Sequence, residues 1–204
     1  MINKDVKSSL NKIATYLSEI QDAREFLLKN TREIVTLCSK AIIAVHKKEI
    51  KQAKKDLKQA STLLKKYQKK ATEDLKRYLI IAEQEYVEAS CLVAIFEKRD
   101  IPTEIKLQVM PESYVLGLSD FVGELKRMTF DRIRTGEINE ALRVFEIMEE
   151  TYLHLYSFAM YDKVVKEIRR KIDVNRILVD DVRGAITEEK RRSELIEVLK
   201  KLSK

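Results

Sequence analysis

Two acidic pairs interrupt stretches of the chain that are otherwise apolar. Glu85 and Glu88 lie inside YLIIAEQEYVEASCLVAIF (78–96), and Asp120 and Glu124 lie inside YVLGLSDFVGELKRM (114–128). At about 100° per residue, Glu85 and Glu88 project from a helix on the same side as Ile81 and Leu92, while Glu83 points nearly the opposite way. In the second stretch Asp120 and Glu124 are one turn apart, Gly117 and Gly123 flank their stripe, and Arg127 extends it. If the two stripes face each other, four carboxylates converge. Carboxylates crowded in an apolar setting lose hydration and repel one another, so they take up protons unless positive charge lies between them. A divalent cation meets that need. An all-oxygen set without His or Cys favours Mg²⁺, with Mn²⁺ as the second choice, over Zn²⁺. The plain alternative is that the acids pair with Lys or Arg from a neighbouring helix.

The elements that must carry these acids are helical. A chain of 204 residues, 45% apolar and 36% charged, has enough material for one domain spanning 1–204. Gly and Pro are absent before Pro102, so long uninterrupted helices are expected. Leu10, Ile13, Leu17, Ile20, Leu27, Ile34, Cys38, Ile42 and Val45 trace the stripe of one helix over 5–46. After a turn near 46–49 comes a basic helix, and Thr72, followed by Glu73 and Asp74, is the expected N-cap of a helix running to about Arg99. Two prolines break RDIPTEIKLQVMPES, and Pro111 opens a helix that Thr135 and Gly136 end. Three further helices are expected over 137–162, from Asp162 to Gly184, and from Thr187 to Leu202. The fold class is therefore all-α, and unmatched apolar faces on helices of this length point to self-association.

Charge is concentrated. Residues 47–77 hold twelve Lys or Arg against four Asp or Glu, more than the whole chain's surplus of +7. Such a run suits either a solvated face or a polyanion, and lysine favours phosphate attraction over base readout. Lys47, Lys48 and Lys51 in this run, Arg24, Lys29 and Arg32 before it, and Arg127 beside the acids are the candidate nucleic-acid contacts. Cys38 and Cys91 have no metal-ligand spacing and read as buried thiols of a reducing compartment. Without a signal-like start or an apolar run of membrane length, the protein is expected to be cytoplasmic and away from membranes.

QEYVEA (84–89), GLSDFVGEL within 114–128, YDKVVKEIRRKIDVNRILVDDVRG (161–184) and DAREFLLKNTREI (22–34) resemble the translin family, and specifically its catalytic branch, translin-associated factor X (TRAX). The resemblance spans most of the chain. It implies an elongated bundle of about seven helices that assembles into a hollow octameric shell and binds single-stranded nucleic acid. It also implies a Mg²⁺-dependent endoribonuclease whose metal-binding and catalytic acids are Glu85, Glu88, Asp120 and Glu124. The translin branch lacks the complete acidic set and serves as a scaffold for single-stranded RNA or DNA, which is the alternative function. The loop before Pro111 is short and no long basic N-terminal extension is present, so a homo-oligomer is the simpler expectation than a mixed shell. Hydrolysis by metal needs no His base, and His154 reads as a core or interface residue.

Overall fold

The computed structural model describes residues 3–202. Among them the chain forms α1 (Lys4–His46), α2 (Ile50–Gln68), α3 (Ile80–Phe96), the four-residue α4 (Glu104–Leu107), α5 (Pro111–Arg134), α6 (Ile138–Tyr156) and α7 (Ile168–Leu202). Two 3-10 segments, Glu73–Tyr78 and Ser157–Tyr161, complete the regular structure. The all-α class and the long helices are as the sequence predicts. No helix among the described residues is long and apolar enough to cross a membrane.

Asn3 starts α1 by accepting a hydrogen bond from the Val6 N–H at 2.9 Å. The chain then turns without glycine. Lys48, at φ +64°, and Lys98, at φ +56°, take the left-handed positions after α1 and α3. Their neighbours close the helix ends, with the Glu49 N–H donating to Ala44 O and the Arg99 N–H to Ala94 O. Each such residue costs about 1 kcal/mol relative to glycine, a cost that the packing of the joined helices must offset. Pro111 occupies the first turn of α5, and Gly136, at φ +75°, follows its end.

Three boundaries differ from the sequence reading. The predicted helix 72–99 is split, because the 3-10 segment buries Leu75 and sets Tyr78 against Arg24 of α1 before α3 begins. The helix predicted over 137–162 ends at Tyr156. The last two predicted helices are one, and it starts later: Glu167 lies at φ +71°, the Asp162 side chain accepts from the Arg169 N–H at 3.1 Å, and α7 continues through Gly184. A side chain at Gly184 would meet nothing within 4 Å.

α1 packs mainly on α2 and α3, α3 on α5, and α5 on α6 and α7. α3 is therefore enclosed, with Ala82, Val87, Ala89, Cys91, Leu92, Val93 and Ile95 buried on nearly all sides. In α1 the first buried residue is Leu27, and Val6, Leu10, Ile13, Tyr16 and Leu17 are exposed. The apolar stripe predicted for that half is exposed through Leu17 and meets the core of the chain from Ile20 onward.

Candidate active site

The crossing of α3 and α5 brings the two acidic stripes together. At Gly117 the helices touch backbone to side chain: a Cβ there would lie 2.6 Å from Gln84 O and 2.6 Å from Val87 Cβ. That approach sets Gln84 opposite Asp120, one turn further along α5, and the Gln84 amide donates to Asp120 Oδ2. α7 closes the third side. Ile168 and Ile172 are buried, Asn175 Nδ2 donates to Ser119 O at 3.0 Å, and Lys171 pairs with Asp120 Oδ1. From α1, His46 Nε2 reaches Glu124 Oε2 at 2.5 Å, and its Nδ1 lies 3.5 Å from Asp131 Oδ2.

Electrostatics show that the acids share one environment. Glu88 is nine-tenths buried, and its carboxyl is pushed up to about 8 by burial and then by the charges of Asp120, Glu85 and Glu124, with Lys171 partly offsetting them. Glu85 is raised first by burial, next by Asp120. The Cys38 thiol of α1 is pushed up by burial and by Glu85 and Glu88, so α1 forms the fourth wall. Both thiols are buried, as expected.

The donor chemistry is that of a hard cation: oxygen ligands only, with Glu85 and Glu88 making no hydrogen bond or ion pair among the described residues. The side chains do not yet form a coordination shell, since no three His, Cys, Asp or Glu are gathered closely enough among the described residues. Asp120 is turned to Lys171 and Gln84, and Glu124 to His46. Pairing with a Lys or Arg from a neighbouring helix, the alternative raised by the sequence, holds for Asp120 through Lys171, while Glu124 meets the His46 ring.

Sequence reasoning missed four residues here. His46 continues the Cys38–Ile42 stripe of α1 by a further four-residue step, a signal that was legible. Lys171 stands between Ile168 and Ile172, a lysine at the edge of a buried stripe. Gln84 could not be singled out without the Gly117 crossing. Glu83, expected to point away, does so, but into a second buried face: it is 1% exposed and accepts from Gln68 Nε2 at 2.8 Å and the Met110 N–H at 2.9 Å. Ile81, expected beside the buried acids, is exposed.

The seven basic candidates are all exposed. Arg24 donates to the Tyr78 hydroxyl at 2.9 Å, Lys48 lies 3.4 Å from Glu137, and Arg127 is 3.9 Å from Glu124. A groove of about 500 Å³ between α2 and α3 is lined by Lys54, Lys58, Lys65 and Arg99 together with Tyr86 and Ser90. Tyr86 and Ser90 are turned some 100–160° around α3 from Glu85 and Glu88, so this basic groove opens on another side of the helix than the acids. His154 is 82% exposed at the rim of a cleft of about 650 Å³ between α3, α5 and α6, not in the core.

Comparison with known proteins gives this bundle of long helices its family. The sequence matches the Translin family over residues 1–183, and the chain belongs to that family. It is 35% identical to an uncharacterised protein of Methanocaldococcus jannaschii over 95% of this chain and 88% of the relative. The structure resembles that of AfC3PO in complex with duplex RNA, with a TM-score of 0.80 and 31% identity over 90% of this chain and 97% of that one. Apo-NeC3PO shares the fold, with a TM-score of 0.78 at 21% identity over 93% of this chain and 98% of that one.

Proposed function

We propose that the protein is a divalent-cation-dependent endoribonuclease that hydrolyses phosphodiester bonds of RNA with Glu85, Glu88, Asp120 and Glu124. The observation that carries this is Glu88, a carboxyl nine-tenths buried without a hydrogen-bonding partner among the described residues and crowded by three other acids. Ionising such a group in place is costly, and a bound cation would supply the positive charge that offsets the cost. The resemblance to a C3PO that holds duplex RNA supports RNA as the ligand.

The four acids would hold Mg²⁺, or Mn²⁺ in its place. A bound divalent cation supplies Lewis-acid stabilisation of phosphoryl charge and a lower pKa for an attacking water. Arg127, half exposed and one turn beyond Glu124, would hold a phosphate oxygen at the rim. Glu88 in the cation-free state keeps a proton at neutral pH, which limits repulsion within the cluster. Arg24, Lys29, Arg32, Lys47, Lys48 and Lys51 would add electrostatic attraction for RNA, and binding would fall steeply with salt. A single strand bends most easily to present one phosphodiester to enclosed acids, so single-stranded RNA is the proposed substrate, with single-stranded DNA open as a ligand. The exposed apolar stripe of α1 from Val6 to Leu17 supports a homo-oligomer, with the octamer of the family as the expected size, in the cytoplasm.

The second reading is a scaffold that binds RNA or DNA without cutting it, favoured by the Asp120–Lys171 and Glu124–His46 contacts, which engage two of the four acids inside the chain. Incubation of end-labelled single-stranded and duplex RNA with the protein, Glu88→Gln and Asp120→Asn, in Mg²⁺ or EDTA, separates the two. Cleavage that requires Mg²⁺ and is lost in folded, RNA-binding variants supports the enzyme. Binding without cleavage of either RNA, in Mg²⁺ and in Mn²⁺, leaves the scaffold.

A further inference from the structure

We propose that Lys171 is a built-in competitor of the divalent cation: it holds Asp120 in the cation-free protein, and Asp120 becomes a ligand only when the ammonium group leaves it. This rests on the reading that the four carboxylates take a divalent cation. Lys171 is not a wandering surface charge. α7 is fixed in register by buried Ile168 and Ile172, by Asn175 on Ser119 O at 3.0 Å, and by Lys126 of α5 on Asp181 at 2.6 Å. The helix therefore delivers the Lys171 ammonium to Asp120 Oδ1, while Gln84 holds Oδ2, so both oxygens of this carboxylate are engaged. The Lys171 and Asp120 side chains are 22% and 25% exposed, so their pairing is enclosed on most sides yet open to solvent on one. Among the described residues, Lys171 is also the cation whose charge reaches both Glu85 and Glu88.

One side chain thus serves the cation-free state and opposes the loaded one. Without Lys171 the cluster would keep only His46 and Arg127, both at Glu124, beside its four acids, and repulsion would loosen the crossing of α3, α5 and α7. With it, a divalent ion must approach a fixed positive charge and replace it at Asp120. The site then holds its cation only while free cation is plentiful.

The test is calorimetric titration of Mn²⁺ into the wild-type protein, Lys171→Met, Lys171→Gln, Lys171→Arg and Asp120→Asn, each checked for helical content, with thermal unfolding in EDTA and in Mn²⁺. Removing one nearby positive charge should tighten Mn²⁺ binding by roughly tenfold or more in Lys171→Met and Lys171→Gln. Both should unfold at lower temperature in EDTA and gain more from Mn²⁺ than wild type, whereas Lys171→Arg should behave as wild type. Two neutral replacements guard against one failing to fold. Equal or weaker Mn²⁺ binding in both neutral variants, with binding lost in Asp120→Asn, would overturn the competitor role and leave the cation site standing. No Mn²⁺ binding by folded wild type or by either neutral variant would overturn the cation site and the competitor together.

Discussion

Replacing Glu88 by Gln should remove the loss of stability that the protein suffers at high pH in the absence of divalent cation. A Glu in the unfolded chain titrates near 4.5, while Glu88 in the fold titrates near about 8. Between these values the folded protein binds a proton that the unfolded chain does not. The resulting stability is fully present below about pH 4.5 and is lost as pH rises through about 8. The gap of roughly three and a half units corresponds to a ceiling of about 5 kcal/mol. Because neighbouring Glu85, Asp120 and Glu124 share the repulsion, about 2–3 kcal/mol is the expected cost at high pH. For a chain of this size that is a shift of about 5–10 °C in Tm. Glu88→Gln keeps the shape and carries no titrating charge. In EDTA its Tm should match wild type near about pH 5 and exceed it by that margin near about pH 9. Mg²⁺ should restore wild type at high pH and leave Glu88→Gln little changed. Thermal unfolding followed by circular dichroism across this range is the assay. Parallel Tm–pH curves for the two proteins in EDTA would show that Glu88 titrates as an ordinary carboxyl and that the acids are not crowded.

Glu83→Leu should destabilise by about 1–3 kcal/mol in urea unfolding, since it removes the acceptor of the Met110 N–H at a buried site and one of the two acceptors of Gln68 Nε2, which keeps Gln108 O at 2.7 Å; a loss below about 0.5 kcal/mol would refute that anchoring. Gly117→Ala should cost about 1–3 kcal/mol or more, because its Cβ meets α3 at 2.6 Å, and it should also weaken cation binding by separating Gln84 and Glu88 from Asp120. Gly123→Ala, whose Cβ meets nothing within 4 Å, should stabilise by up to about 1 kcal/mol through helix propensity. Equal effects of the two alanines in thermal unfolding would argue against a close crossing at Gly117.

Much of the site was legible in the residues alone because helical periodicity is a local property. The one-turn spacing of Asp120 and Glu124, and the shared face of Glu85 and Glu88, follow from about 100° per residue. Glu83 shows where that logic stops. It points away from the acids, as expected, but into a second packed face, and that packing depends on α2 and on the Met110 loop, which no window of α3 sequence contains. The turns show the same limit: Lys48, Lys98 and Glu167 adopt left-handed backbone because packed helices require a reversal there, against their local preference.

Residue types and short spacings carry the all-α class, the acidic and basic stripes, and the absence of His and Cys from the acidic pairs. The chain has these properties whether folded or not. Which partners those acids meet depends on how distant segments pack. His46 lies 78 residues from Glu124 and Lys171 lies 51 residues from Asp120, so their pairing depends on how α1 and α7 close around the α3–α5 crossing. Long-range contacts of that kind are set by packing complementarity at Gly117, Ile168 and Ile172, and packing is a property of the assembled core and not of any one segment.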